Sequence, residues 1–412
     1  MKVFISAAEA SSDAHGAGLL EALKDQMGAE SVEAIGVGGP KLQAQGLRVS
    51  VDARELLSMG FVEVLGKLPR IFRALNTLEK VILEQKPEVA VLIDYPEFHF
   101  RLARKLRQAG VPTLFFIPPK VWVWRKKRIY RLKDLFARIL SILPFEEEIY
   151  REAGVPLTYV GNPLLDQLPL GLKRSDARLA LGLGDKSRVL AVLPGSRPAE
   201  IRAHLDLMLD AACVVAARLR SVELMKMEDR LIVCIPLPVT APFQLIQQDL
   251  ARWMKRMGGH DESFLLDVRL SQGNSSEVLV AADGGMIKSG TSTLEAGMLD
   301  CPHLIVYRPH WLTEWIFKWI IRYRGPVGLV NLVHSGVEDR PRLIREILCS
   351  EATPRSLADE ALLVLTDAST RHAQMLGFEK VRAILMRAGG SPSRRAADEV
   401  VAVWKNRKLR ES

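Results

Sequence analysis

Cysteine is scarce in this 412-residue chain: Cys213, Cys234, Cys301 and Cys349 lie scattered, with no CxxC pair and no Cys/His cluster. That spacing argues against a structural zinc and points to a reducing compartment. No run of about 18 apolar residues occurs, so nothing in the sequence reads as a membrane span. The first residues, Met1 to Ser6, run straight into an apolar strand without the layout of a secretory leader. Also missing are a GxGxxG with a downstream acid, a P-loop GxxxxGK, HExxH and GxSxG. Their absence disfavours a dinucleotide dehydrogenase, a P-loop NTPase, a zincin protease and an α/β-hydrolase. Acid is in the minority, 48 Asp and Glu against 57 Lys and Arg, for a net charge of +9. Anionic partners are therefore expected, whether nucleic acid, an anionic membrane face or a phosphorylated substrate.

What is present is ordinary globular material, 48% hydrophobic and 25% charged, long enough for two domains with full cores. Strand-like segments begin at Val3, Ala34, Val89, Thr113, Arg138 and Thr158, and helical patterns separate them. A polar stretch from Lys173 to Lys186 reads as a linker. A second series begins at Val189, continues through Leu231, Met286 and His303, and ends in a charged helical tail from Ser356. Repeated βα units predict an α/β fold of two parallel, doubly wound sheets with ligand loops at their carboxyl ends.

Two loops of the second series carry chemistry. Ser289-Gly290-Thr291-Ser292-Thr293-Leu294-Glu295 follows an apolar run and opens a helix. Its hydroxyls suit a helix cap, and Gly290 lets the backbone approach a ligand closely. First-turn amides backed by the helix dipole make a phosphate site. Glu295, one turn in, is placed to accept from a sugar or ribose hydroxyl. The competing reading is an ordinary capped helix. Pro194-Gly195-Ser196-Arg197 is a similar device, in which Arg197 serves as a bidentate cation for phosphate or as a surface partner of Glu200.

Several further motifs occur in order: Ala8-Glu9-Ala10-Ser11-Ser12-Asp13 with His15-Gly16-Ala17, then Gly36-Val37-Gly38-Gly39-Pro40 and Met59 to Gly66. They continue with Ile93 to Phe98, Val121 to Arg125, Leu143 to Glu146, Leu193 to Arg197 with Glu200, Ser289 to Glu295, Val306-Tyr307-Arg308 and Asn331-Leu332. With these motifs in this order, the chain resembles the lipid-A-disaccharide synthase family of glycosyltransferases over nearly its whole length. The resemblance implies a GT-B fold, with two Rossmann-like domains facing across a cleft. An acceptor-side domain is expected at residues 1–170, a UDP-sugar domain at 171–365, and a helical segment at 366–412 that packs back on the first domain. The implied reaction is inverting transfer of a diacylglucosamine unit from UDP to the 6-hydroxyl of diacylglucosamine 1-phosphate. The implied location is cytoplasmic, peripheral on the inner membrane, with a homodimer as an expected assembly and no nucleic acid partner.

That reaction assigns roles. Departing UDP needs its negative charge stabilised, which the resemblance gives to Gly195, Ser196 and Arg197 and to the turn Ser289, Gly290 and Thr291. Glu295 and Asn331 are the further UDP-sugar contacts. No DxD pair is present, and neither a metal nor another cofactor is expected. The acceptor hydroxyl needs a general base. Glu97 is the candidate, with Asp94 as its support or as a capping acid, and His15 as a substrate contact. The family has Asp where Glu97 stands and glycines where Ala8 and Ser12 stand, and its VGHP is Val160-Gly161-Asn162-Pro163 here. These departures gather in the first half, so the alternative is a relative with a different acceptor or a non-catalytic UDP-sugar binder.

Trp311, Trp315 and Trp319 recur at a spacing of four among Leu312, Ile316 and Ile320, flanked by Lys318, Arg322 and Arg324. An interfacial membrane helix that meets the acyl chains is expected there, against a buried packing helix as the competing reading. The stretch from Phe61 to Leu75 is a second candidate. The basic run Arg125 to Arg128 fits anionic lipid headgroups better than nucleic acid.

Overall fold

The structure, a computed structural model, describes residues 1–52, 64–122, 128–226, 228–258, 265–308, 325–337 and 341–411. The chain divides into two units, Met1–Gln167 with Leu385–Ser412, and Leu168–Ile384. Each is a parallel sheet covered by helices on both faces.

The strands of the first unit are β1 (Lys2–Ala7), β2 (Glu33–Gly38), β3 (Arg48–Asp52), β4 (Val89–Ile93), β5 (Thr113–Phe116), β6 (Arg138–Ser141) and β7 (Leu157–Tyr159). They lie in the order β3-β2-β1-β4-β5-β6-β7. Strands covered on both faces read as continuous apolar runs, and every residue of Val89–Ile93 is buried. Alternate side chains part to the two faces. Ala90 and Leu92 join one core with Phe4, Phe98 and Phe115, while Val89, Val91 and Ile93 join the other with Val3, Ile5 and Phe116. The helix Pro392–Glu411 covers the second face through Ala396, Ala397 and Val400. The helix Val64–Gln85 buries Leu75, Leu78 and Ile82 and leaves Phe72 exposed. Leu75, part of the expected second membrane stripe, is therefore a core residue.

The second unit holds β8 (Val189–Leu193), β9 (Leu231–Leu237), β10 (Leu266–Gln272), β11 (Gly284–Lys288), β12 (His303–Tyr307) and β13 (Glu346–Leu348), in the order β10-β9-β8-β11-β12-β13. The polar stretch read as a linker carries the helix Arg174–Ala180 instead. Ala177 packs with Val189 and Ala191, and Arg174 donates to the Ala282 carbonyl at 2.6 Å. Buried Ala177 and Leu183, with Arg174 bonded to both Ala282 and Asp283, dock a segment that its composition marks as solvent-facing.

In each sheet the chain winds outward from one central strand and then restarts on the other side. The change of direction falls between β1 and β4 in the first sheet and between β8 and β11 in the second. Ligands of doubly wound sheets bind at the carboxyl ends of the strands at such points.

Candidate functional site

In the second unit the two loops singled out in the sequence leave adjacent strands, since Leu193 of β8 pairs with Ile287 of β11. Gly195 has φ +132°, and a Cβ there would stand 2.7 Å from the Cβ of Glu200, so the turn requires glycine. Glu200 is the third residue of the helix Pro198–Ser221 and folds back over the turn. Its Oε2 accepts from the amides of Ser196 (3.2 Å) and Arg197 (3.4 Å), half of a capping box. Its Oε1 accepts from Lys288 Nζ at 2.9 Å. Burial pushes this carboxyl up, but Lys288 and the Ser196 amide outweigh it and hold Glu200 below the ordinary range. The two loops are thus tied together by a half-buried ion pair. Arg197 keeps its side chain exposed at the rim.

The second loop is built around Ser289 and Thr293. Ser289 is buried and donates its hydroxyl to the Val327 carbonyl at 2.8 Å. Thr293 Oγ1 donates to the Gly290 carbonyl at 2.8 Å and accepts from the Leu329 amide at 3.0 Å. Gly290 and Thr291 are exposed at the start of the helix Thr291–Met298. Among the described residues, the amides of Gly290, Thr291 and Ser292 have no acceptor within the chain. Three open amides at a helix N-terminus form an anion cradle.

Glu295 and Asn331 sit deeper than the sequence suggests. Glu295 accepts from Ser275 Oγ (2.9 Å) and Ser276 Oγ (3.4 Å), and burial raises its pKa. Asn331 is fully buried; its amide donates to Ile344 O (2.8 Å) and Glu346 Oε1 (2.9 Å), and its carbonyl accepts from Ile344 N (2.9 Å). Sequence reasoning missed Lys288, the residue directly before Ser289, and the buried Glu346. A cation ending an otherwise apolar strand was the available signal for the first.

In the first unit the loops after β1 and β4 also leave adjacent strands, Ala7 pairing with Ile93. Asp13 is a structural pin: its carboxylate accepts from the amides of Gly39 (2.7 Å), Lys41 (3.0 Å) and Leu42 (3.2 Å), which fixes the turn after β2. His15 is half-buried, with Nδ1 3.4 Å from Gln167 Nε2. Burial, reinforced by the charge of Lys41, lowers it to about 4, so the ring is neutral at physiological pH. Asp94 and Tyr95 are both left-handed, with φ +55° and +49°. That conformation costs a residue with a Cβ about 1–2 kcal/mol, and such strain concentrates at functional loops. Glu97 is exposed in the first turn of the helix Pro96–Gln108. The buried Glu146 anchors the neighbouring loop, accepting from Trp122 Nε1 at 3.0 Å and from Ser141 Oγ.

The expected membrane contacts Trp311, Trp315 and Trp319 lie outside the described residues, as does most of the basic run at 125–128. No helix among the described residues is long and apolar enough to cross a membrane. The described residues contain no cluster of three His, Cys, Asp or Glu able to hold a metal ion.

A model of the lipid-A-disaccharide synthetase family matches residues 3–400. The chain is 36% identical over 400 residues to the lipid-A-disaccharide synthase of Myxococcus xanthus, covering 97% of each chain. It is 35% identical over 404 residues to that of Anaeromyxobacter dehalogenans (98% of each), and 35% over 402 residues to that of Pseudomonas syringae pv. syringae (97% of each). Among solved structures, UDP-GlcNAc 2-epimerase from Neisseria meningitidis bound to UDP-GlcNAc aligns with TM-score 0.62 at 12% identity, over 98% of this chain and 100% of that one. A glycosyltransferase from Rickettsia africae aligns with TM-score 0.57 at 10% identity, over 100% and 99%. At such identities it is the GT-B type of fold that is shared.

Proposed function

The chain belongs to the lipid-A-disaccharide synthetase family, and on that premise we propose that it is an inverting hexosyltransferase. It moves 2,3-diacylglucosamine from UDP to the 6-hydroxyl of 2,3-diacylglucosamine 1-phosphate, forming the β-1,6 disaccharide and releasing UDP. The observation that carries this reading is the match across residues 3–400, which favours a synthase over a degenerate binder. The geometry of the second unit supports it. UDP leaves with its diphosphate in the cradle of the Gly290, Thr291 and Ser292 amides, fixed donors that stabilise the developing charge. Arg197, at the rim of the neighbouring turn, adds a cation, and Lys288 and Glu200 hold the two loops in register. Glu295 supports the sugar side of the nucleotide through a carboxylate already oriented by Ser275 and Ser276. Asn331 contributes through the segment it anchors.

On the acceptor side, Glu97 takes the proton of the attacking hydroxyl, Asp94 steadies it, and the neutral His15 contacts substrate. Acylated substrates place the enzyme at the cytoplasmic face of the inner membrane, a surface the net charge of +9 suits. Cosedimentation with anionic vesicles tests that location, and recovery of all the protein in the supernatant would exclude it. The activity itself is tested by mass spectrometry of products from UDP-diacylglucosamine, alone and with acceptor. Disaccharide that forms only with acceptor is the expected result; an unchanged mixture, or a changed sugar in the donor-only reaction, would overturn the reading.

A further inference from the structure

The left-handed turn at Asp94 and Tyr95 is held by a buried imidazole. His99, in the second turn of the helix Pro96–Gln108, is fully buried, and its Nδ1 lies 2.5 Å from the carbonyl oxygen of Asp94. A carbonyl only accepts, so Nδ1 carries the proton and Nε2 is an acceptor. Nε2 takes the hydroxyl of Ser6 at 2.8 Å, and Ser6 is a buried residue near the end of β1. One ring therefore spans from β1 to the loop after β4, across the change of direction in the first sheet. Phe98, Tyr95 and Phe115 surround it, with ring centroids 5.6, 6.2 and 6.1 Å away. Burial lowers His99 to about 4 despite the Asp94 carbonyl, which keeps the ring neutral and in one tautomer.

We propose that His99 is a positioning residue for the acceptor side: its Nδ1–H fixes the kinked backbone at Asp94, and Ser6 fixes the ring. The Asp94 carbonyl precedes the Tyr95 peptide and the helix start that carries Glu97, so its orientation sets where both carboxylates point. The inference deepens the proposed function and rests on it for the roles of Asp94 and Glu97.

Two substitutions separate positioning from simple packing. Asn places its amide nitrogen, a donor, close to the position of Nδ1, and Gln can place its amide oxygen, an acceptor, close to that of Nε2. His99→Asn therefore keeps the bond to Asp94 and loses Ser6, while His99→Gln keeps Ser6 and loses Asp94. We expect His99→Gln to lower kcat at least tenfold with UDP affinity unchanged, and His99→Asn to stay within about threefold of wild type. Equal losses in both variants, or full turnover in His99→Gln, would overturn the proposal. Circular dichroism and the melting temperature check that the unit carrying each substitution is folded, and UDP affinity checks that the other unit is untouched. An activity-independent readout is the ¹⁵N spectrum of the His99 ring, expected to show a protonated Nδ1; a protonated Nε2 would overturn the inference. Failure of wild type to form disaccharide would instead count against the proposed function, leaving the ring spectrum to decide this one.

Discussion

Replacing Glu346 tests how the donor loop is held. Glu346 opens β13, and its side chain has no exposed surface. The carboxylate accepts from the amides of Val327 (3.1 Å) and Gly328 (2.9 Å) and from Asn331 Nδ2 (2.9 Å), and pairs with Arg342 at 2.9 Å. The same segment reaches the candidate site, because Val327 accepts from Ser289 and Leu329 donates to Thr293. Glu346→Ala removes every one of these acceptors, and breaking a buried charge pair from one side costs about 3–5 kcal/mol. Glu346→Gln keeps the volume and one acceptor oxygen but forfeits the charge, so roughly 2 kcal/mol is expected. Urea unfolding measures both. In the folded Gln variant the slackened segment should also weaken UDP binding roughly tenfold, about 1.4 kcal/mol, by titration calorimetry. An Ala variant losing less than about 1 kcal/mol, a quarter of the expected cost, or a Gln variant with wild-type UDP affinity would refute the reasoning.

Three further outcomes follow from the same geometry. Arg197→Ala should weaken UDP binding about 10- to 100-fold, the worth of a charge-assisted hydrogen bond, and unchanged affinity would remove the residue from the site. Glu97→Gln should cut turnover about 10²- to 10⁴-fold while leaving UDP affinity and, because the side chain is exposed, the melting temperature as they were; normal turnover would exclude it as the base. Burial raises Glu146 from 4.5 to about 7, against the bonds from Ser141 and Trp122. A carboxyl raised on folding stabilises the fold below its unfolded pKa, and that contribution is lost as pH rises through about 7. Glu146→Gln should therefore melt with wild type near pH 4 and above it at pH 8, by at most roughly 3 kcal/mol; parallel curves across that range would contradict this.

The parts of the fold legible in the sequence were those buried on both faces. Val89–Ile93 and Val189–Leu193 are unbroken apolar runs and read directly as strands. The strands that escaped notice, Arg48–Asp52, Leu266–Gln272 and Glu346–Leu348, are all edge strands. Edge strands mix charge with apolar residues because one side faces outward, and LDVRLSQ carries no continuous run to find. Of the candidate site, the turns at Gly195 and Gly290 were visible because glycine and hydroxyl residues mark them. Their mutual bond through Glu200 and Lys288 was not, since the partners lie far apart in sequence and only strand order joins them. Asn331 carried a motif but no sign of its depth, which depends on the position of Glu346. His99 was hidden for the same reason: its partner Ser6 is 93 residues away.

The central claim is that the open amides at the start of the helix Thr291–Met298 receive the diphosphate of UDP. Thr291→Pro tests it most directly. Proline is well tolerated at the first position of a helix, and the extended backbone of Gly290 suits a following proline, so relative to Thr291→Ala, which also lacks the hydroxyl, Thr291→Pro removes one N–H. Calorimetric titration with UDP should show affinity at least tenfold weaker in Thr291→Pro than in Thr291→Ala, with the melting temperature unchanged. Equal affinity in the two proteins would contradict the claim.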